Sequence, residues 1–334
     1  MGGDKIRYSV IIPVYNRVDE VADLLESLDK QTVKNFEAVF VEDGSTVPCK
    51  DMVDKYLFAS YYFKENEGRS IARNYGIERS RGEWLVFFDS DCVVPEDYFE
   101  KLDRQIDANP GISCFGGPDA AHDSFSDTQK AINYSMTSFL TTGGIRGGKI
   151  SLEKFVPRTF NMGYKREVYD RIGGFREMFS EDIDMSTRIR NAGYAVALFP
   201  EQFVYHKRRV DFRKFLRQVY VFGMSRITLK LLYPGSLKIV HTFPALFVIG
   251  VAAMILLGIF CSPLWLIPLA LYLVAIFVAA VVATKSLKIS ILAIPASILQ
   301  LGGYGCGFIK AYVTKILFGK GRNIEEEINI RKGK

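Results

Sequence analysis

The sequence predicts an α/β domain built on a mostly parallel sheet, followed by an α-helical membrane module. From the N-terminus to residue 210, short apolar runs alternate with stretches that carry apolar residues at helical spacing, the signature of strand–helix–strand units. From 241 to 309 charge almost vanishes, and only Lys285 and Lys288 interrupt the apolar run. Acidic residues stand where several of the strand-like runs end. In open parallel sheets, ligands bind outside the carboxyl ends of the strands.

Residues 8–14 (YSVIIPV) read as a buried first strand. Asn16 and Asp19 sit where a helix should begin, and Val18, Val21, Ala22, Leu24, Leu25 and Leu28 form its apolar face. A second strand is expected at 36–42, ending in the turn residues Asp43-Gly44-Ser45-Thr46. Helix is expected at 50–58, a short strand at 60–64, helix at 69–80 and a buried strand at 83–88 that runs straight into Asp89. Residues 118–160 are less regular. Gly143, Gly144, Gly147 and Gly148 suggest a mobile loop, either a plain surface loop or an active-site lid. Helices are expected at 164–175 and 181–192, and a strand at 196–199.

A basic amphipathic helix follows at 211–232. It suits either the membrane interface or packing against the soluble domain. Apolar stretches at 241–261 and 263–284 have the length a span needs, about 20 residues. Ser262 and Pro263 leave room only for a tight turn between them. The stretch at 289–309 is weaker, because it contains Pro295, Gln300 and the glycines 302, 303, 305 and 307. Two crossings put Lys285 and Lys288 on the inner side. A third would carry Lys310, Lys315, Lys320 and Arg322 outward, against the positive-inside tendency. The third segment is therefore left as spanning, re-entrant or interfacial.

The formal charge is +6, with a cluster at Lys207, Arg208, Arg209, Arg213, Lys214 and Arg217 just before the apolar region. That position favours an anionic membrane surface, and no zinc-finger or RNA-binding motif supports nucleic acid. The cysteines 49, 92, 114, 261 and 306 are scattered, with no CxxC, which predicts reduced thiols in a cytosolic setting. Nothing before the first strand reads as a signal peptide.

The chemistry lies in three acidic groups: Glu42-Asp43-Gly44-Ser45-Thr46, Asp89-Ser90-Asp91, and Glu181-Asp182-Ile183-Asp184. Two aspartates at i, i+2 on an exposed strand end can hold Mn²⁺ or Mg²⁺ against phosphate oxygens, because these ions take oxygen ligands and often keep only one or two protein carboxylates. Asp43 can accept a hydrogen bond from a base imide, or can serve as an ordinary turn aspartate. Glu181 and Asp182 offer a general base for an attacking hydroxyl, or ordinary acidic partners of a helix N-terminus.

These motifs, in this order, resemble family 2 inverting glycosyltransferases of GT-A fold, a Rossmann-like nucleotide-diphospho-sugar transferase fold. The matching pieces are SVIIPVYNR (9–17), VEDGST (41–46), NEGRSIARNYGI (66–77), GEWLVFFDSDC (82–92), FNMGYKREV (160–168), GGF (173–175) and EDIDMSTRIRNAGY (181–194). The tail, with LGGYGCGFIK at 301–310, resembles membrane-attached members that assemble exopolysaccharide or lipid-linked glycans.

The resemblance implies a nucleotide-sugar pocket from Pro13, Tyr15, Asn16, Asp43, Gly68, Arg73, Asp89, Ser90 and Asn161. It implies Asp91, with Asp89, as metal ligand, and Asp182, aided by Glu181, as base. His206 is either a further metal ligand or a polar strand end. Glu42 replaces an aspartate common in the family, and the QxxRW motif of processive synthases is missing. The expected organisation is a catalytic domain at 1–210, an interfacial helix at 211–235, a membrane module at 236–318 and a polar tail at 319–334. The expected reaction is transfer of one sugar from a UDP-sugar or related donor to a hydroxyl of a lipid-linked or surface glycan, at the cytosolic face of a bacterial inner membrane. The alternatives are a polyprenyl-phosphate glycosyl synthase and a non-catalytic membrane scaffold.

Overall fold

The computed structural model describes residues 6–120, 125–143, 155–206 and 211–321, with only the backbone of His206. The chain divides into an α/β unit, Met1–His122 with Phe155–Lys207, and a helical unit, Asp123–Lys154 with Arg208–Lys334. The elements in chain order are β1 (Tyr8–Val14), α1 (Val18–Asp29), β2 (Phe36–Asp43), α2 (Lys50–Val53), β3 (Ala59–Lys64), α3 (Arg69–Glu78), β4 (Trp84–Phe87), β5 (Cys92–Val93), α4 (Tyr98–Ala108), β6 (Cys114–Gly116), β7 (Asp119–Ala120), α5 (Asp127–Thr137), α6 (Phe139–Thr142), β8 (Met162–Lys165), α7 (Arg166–Ile172), α8 (Glu181–Asn191), β9 (Val196–Leu198), β10 (Val204–His206), α9 (Phe212–Leu232), α10 (Phe243–Phe260), α11 (Ile267–Thr284) and α12 (Leu287–Ala311).

The main sheet has the order β3-β2-β1-β4-β8-β6-β9. β1 is parallel to β2 and to β4, so the chain winds outward to β3 and then returns to the other side of β1. That reversal is a topological switch point, where the crevice of such sheets opens. Side chains of β1 alternate between the two faces. Val10 and Ile12 join one core with Leu24, Leu25 and Leu102, while Ile11 joins the other with Ala72, Ile77 and Met185. Burial on both faces is why YSVIIPV reads as a continuous apolar run. β8 lies antiparallel to β4 with Met162 opposite Phe87, so the start of β8 shares an edge with the end of β4. A second small sheet has the order β5-β10-β7.

Several expectations are corrected. The helix expected at 164–175 starts as the end of β8 and becomes helical only at Arg166. Gly163 allows the strand there: a Cβ would lie 2.4 Å from the Phe115 ring. The helix expected at 50–58 stops at Val53. Strands β5, β6 and β7 were not foreseen, since two or three residues are too few to show a period. Gly144, Gly147, Gly148, Lys207, Arg208, Arg209 and the tail from 322 lie outside the described residues. The described part of 118–160 is not a loop: α5 opens on Ser126 with a capping box from Gln129 and belongs to the helical unit, not to a catalytic domain running unbroken from 1 to 210.

In the helical unit, α9 packs along α12, burying Phe215, Val219 and Ile227. Its packing partner within its own unit is thus an apolar helix. Glycines make this approach possible. A Cβ on Gly223 would lie 2.0 Å from the Tyr304 carbonyl oxygen, and one on Gly307 2.0 Å from that of Tyr220. Gly305 meets α10 in the same way, 2.2 Å from the Pro244 oxygen. Small residues at such spacing let apolar helices meet backbone to backbone. Three of the four glycines that weakened the third segment as a span, Gly303, Gly305 and Gly307, are its packing surface. Ile239–Phe260, Pro263–Thr284 and Leu287–Leu317 are each long and apolar enough to cross a membrane. Half of the last is buried, against 11% for each of the others, so α12 is the central helix and α10 and α11 are outer ones.

Candidate active site

The sheet edge at the switch point gathers the ends of β1, β2 and β4. Asn16, just past β1, has a left-handed backbone (φ 52°). Its N–H donates to Ser45 Oγ at 2.8 Å, and its Oδ1 accepts from the Thr46 N–H at 2.9 Å. The first loop is thereby clasped to the second. Tyr15 is exposed and Pro13 half-buried beside it. Glu42 is fully buried and organises the same loop, accepting from Ser45 Oγ, from the Cys49 N–H at 2.9 Å and from Cys49 Sγ at 3.0 Å. The extra methylene of Glu42 gives the carboxylate this reach across seven residues.

Asp43 ends β2 and is pinned from the next loop. Its Oδ1 accepts from Lys64 Nζ at 2.9 Å and the Glu67 N–H at 3.0 Å, and its Oδ2 from the Gly68 N–H at 2.8 Å. Gly68 precedes α3 with φ 96°, a conformation that suits glycine. Asp43 therefore fixes the start of α3.

β4 delivers Phe88 into the core and then Asp89. The Asp89 carbonyl accepts from the Cys92 N–H at 3.1 Å, closing a turn that carries Asp89, the buried Ser90 and Asp91. β5 then pairs with β10, with His206 opposite Cys92. The backbone of His206 thus lies beside the Asp89–Asp91 turn. Its side chain is outside the described residues.

A buried charge network ties this turn to the start of α8. Arg73, 1% exposed, donates to Asp89 Oδ1 at 2.7 Å and to Glu181 Oε1 at 2.9 Å. Its guanidinium also sits over the Phe175 ring at 5.6 Å. Arg69, one turn earlier on α3, reaches both oxygens of Glu181, with Nε to Oε1 at 2.7 Å and NH2 to Oε2 at 2.7 Å. Such fork-to-carboxylate pairs are strong and directional.

Three residues singled out in the sequence have their polar atoms engaged within the protein. Glu181 is buried and held by two guanidiniums, and Arg73 divides its fork between Asp89 and Glu181. Asn161 is wholly buried, accepting from Tyr98 OH at 2.6 Å and donating to the Gln202 and Pro118 carbonyls at 2.5 and 3.3 Å. It is a structural clasp at the start of β8.

Asp182 is placed differently. It follows Ser180, whose φ of 64° is unusual for a residue with a side chain, and it opens α8. Burial alone would raise its pKa. The guanidiniums of Arg158 and Arg69 and the Ile183 N–H outweigh that, and hold the carboxyl below the usual range. Arg158 NH1 lies 3.3 Å from Asp182 Oδ2. Asp184 is fully buried between Arg188 at 3.0 Å and Arg176 at 3.3 Å, and locks α8 to the preceding loop. Arg69 could have been read from the sequence, since it stands four residues before Arg73 on one helix face. Arg158 could not, because it is a lone arginine in an irregular stretch.

Among the described residues no three His, Cys, Asp or Glu side chains converge to enclose an ion by themselves. Asp89 and Asp91 stand on one turn, and two carboxylates are a donor set that suits Mn²⁺ or Mg²⁺ only where further oxygen ligands come from elsewhere.

Residues 9–173 match the model of glycosyl transferase family 2. An uncharacterized glycosyltransferase of Rickettsia bellii is 39% identical over 105 residues, 30% of this chain and 14% of its own length. The chain therefore spans only a small part of that relative. The glycosyltransferase AglE of Haloferax volcanii is 25% identical over 262 residues, covering 70% of this chain and 80% of its own. The mannosyltransferase PcManGT from Pyrobaculum calidifontis, solved in complex with GDP-Man and Mn2+, superposes with a TM-score of 0.55 at 19% identity, over 95% of this chain and 88% of its own. That last likeness establishes the GT-A fold.

Proposed function

Since residues 9–173 make this chain a member of glycosyltransferase family 2, we propose that it moves one sugar, with inversion, from a nucleotide-diphosphate sugar to a hydroxyl of a lipid-linked or surface glycan. One observation carries the reading: Arg73 joins the Asp89–Asp91 turn to Glu181, the neighbour of Asp182 at the start of α8. The leaving diphosphate and the attacking hydroxyl need these two groups on either side of one sugar.

Asp182 is kept ionised by Arg158, Arg69 and the Ile183 N–H, so it is ready to take the acceptor proton as the oxygen attacks. Asp91 and Asp89, with the backbone of His206 opposite Cys92 next to their turn, would hold a divalent ion, which would neutralise charge on the departing diphosphate. Pro13, Tyr15 and Asn16 flank the nucleotide, and Ser90 and Gly68 offer backbone near the phosphates. A preference for uracil rests on Asp43, whose fixed carboxylate would accept the imide N–H. Holding donor and acceptor together accounts for about 7–11 kcal/mol of the barrier in such reactions.

The apolar helices α10, α11 and α12, each long and apolar enough to cross a membrane, support a membrane-bound enzyme. A bacterial cytoplasmic membrane with the α/β unit in the cytosol suits the reduced thiols and the basic cluster, and brings a lipid-linked acceptor within reach.

Replacing Asp182 with Asn tests the mechanism. Turnover on a hydroxyl acceptor should fall by about 10²–10⁴-fold, with donor affinity retained. Near-normal turnover would sink the hydroxyl acceptor and favour a lipid phosphate, which has no proton to lose. A panel of UDP-, GDP- and TDP-sugars with Mn²⁺, read by product mass, identifies the donor. No transfer or hydrolysis from any of them would favour a non-catalytic scaffold.

A further inference from the structure

Helices α5 and α6 lie in sequence between β7 and β8 of the α/β unit, yet they pack within the helical unit. α5 starts at the junction of α11 and α12, where Asp127 pairs with Lys288 Nζ at 2.7 Å. It then runs down the two apolar helices. Tyr134 OH donates to the Ile276 carbonyl at 3.3 Å, and Tyr272 OH donates to the Leu140 carbonyl at 2.7 Å. At 1.5 Å per residue, Ile276 is about 12 Å and Tyr272 about 18 Å along α11 from Thr284. The whole of α11 is about 27 Å long on the same measure. The inserted segment therefore reaches past the midpoint of a helix long and apolar enough to cross a membrane.

Its chemistry matches that depth. Between Lys130 and Arg146 the sequence has no Asp, Glu, Lys or Arg. The hydroxyls satisfy themselves on their own backbone: Ser135 on the Ile132 carbonyl at 2.8 Å, Thr137 on that of Asn133 at 2.9 Å, Thr142 on that of Met136 at 3.1 Å. In hydrocarbon, polar groups must find partners inside the protein. At the far end Phe139 is 55% and Leu140 38% exposed, continuous with the outward apolar residues of α11. An exposed Phe-Leu pair is costly in water and is at home among acyl chains.

We propose that residues 126–143 are embedded in the hydrocarbon of the bilayer, entering beside the Lys285–Lys288 turn and presenting Phe139 and Leu140 to acyl chains. This rests on reading α11 as a membrane span. The enzyme's chain is then anchored in lipid at two separate places in its sequence, one of them inside the stretch that forms the catalytic sheet. A lipid-borne acceptor meets this inserted segment as well as the C-terminal helices.

The test uses the full chain with Cys261→Ser and Cys306→Ser, the two exposed thiols. Single cysteines replace Phe139, Val278 on the outer face of α11, or Leu57 on the surface of the α/β unit, all exposed positions that should not disturb folding. Each is labelled with a bimane and reconstituted into phosphatidylcholine–phosphatidylglycerol vesicles. Quenchers are bromines on the acyl chains or iodide in the water. The proposal expects the labels at 139 and 278 to be quenched alike by brominated chains and shielded from iodide, with the label at 57 showing the reverse. A label at 139 that follows 57 while 278 stays shielded overturns the embedded segment alone. A label at 278 open to iodide overturns the membrane reading and the proposal with it.

Discussion

Arg73 with Glu181 in the α/β unit, and Gly223 with Gly307 in the helical unit, answer opposite problems of close packing. The α/β unit buries charge. Glu42, Arg73, Glu181 and Asp184 are each at most 1% exposed, and each has partners at hydrogen-bond distance. The helical unit, among its described residues, buries none of its Asp, Glu, Lys or Arg side chains. Its helices meet through missing side chains, and hydroxyls such as those of Ser135, Thr137 and Ser225 turn back onto their own helix. Fixed charge survives burial only when paired, and pairing is how the α/β unit keeps its inner carboxylates. Helices apolar enough to cross a membrane would gain nothing in lipid from water exclusion at their contacts, and close backbone approach serves instead.

The comparison can be broken most severely at Glu181. Replacing it with Ala leaves the buried Arg73 without one partner and frees Arg69, and should cost about 3–5 kcal/mol of stability. Thermal and denaturant unfolding of the purified protein should show this, together with loss of turnover. Glu181→Gln should keep more of the fold, and should weaken activation by Mn²⁺ because Asp89 loses its fixed partner Arg73. Equal activity in Glu181→Gln would make Glu181 a purely structural anchor.

In the helical unit the matching test is Gly307→Ala. Its Cβ would fall 2.0 Å from the Tyr220 oxygen, so α9 and α12 must separate, at a cost of about 1–3 kcal/mol. The neighbour Gly302 sharpens the point, because nothing lies within 4 Å of its Cβ position. Gly302→Ala should be neutral or stabilise by about 0.4–1 kcal/mol. Equal losses for both would refute packing as the reason for the glycines.

The smallest effect concerns pH. Asp182 has a folded pKa below its ordinary value. Its pairing therefore adds stability fully present above the ordinary carboxylate pKa and lost as pH falls through the lowered one. Arg158→Gln removes the first of the favourable causes. The acid limb of the rate profile should move upward, towards the ordinary aspartate range, with little change at neutral pH. An unmoved limb would mean that Arg69 and the Ile183 N–H suffice.

Much of the site was legible because each acidic group follows a strong local signal. YSVIIPV, FEAVFVE and EWLVFF are long enough to show as strands, and the strand-end rule then brings Asn16, Asp43 and Asp89 to one edge. The partners of Asn161 and Glu181 were not legible in the sequence, for a common reason. A motif fixes where a residue stands along the chain, but not how many partners meet it there. Tyr98, Gln202 and Pro118 converge on Asn161 from distant positions, and Arg69 and Arg73 converge on Glu181 from α3.

By itself, the sequence determined the α/β class, the order of strands and acidic turns, and the change from an aqueous to an apolar material near residue 240, because these depend on local periodicity and composition. Tertiary structure alone decided which arginines hold which carboxylates, that glycines in the third apolar segment serve contact with α9 and α10, and that 126–143 joins the helical unit. Those outcomes depend on contacts between residues far apart in the chain, and no local pattern encodes them.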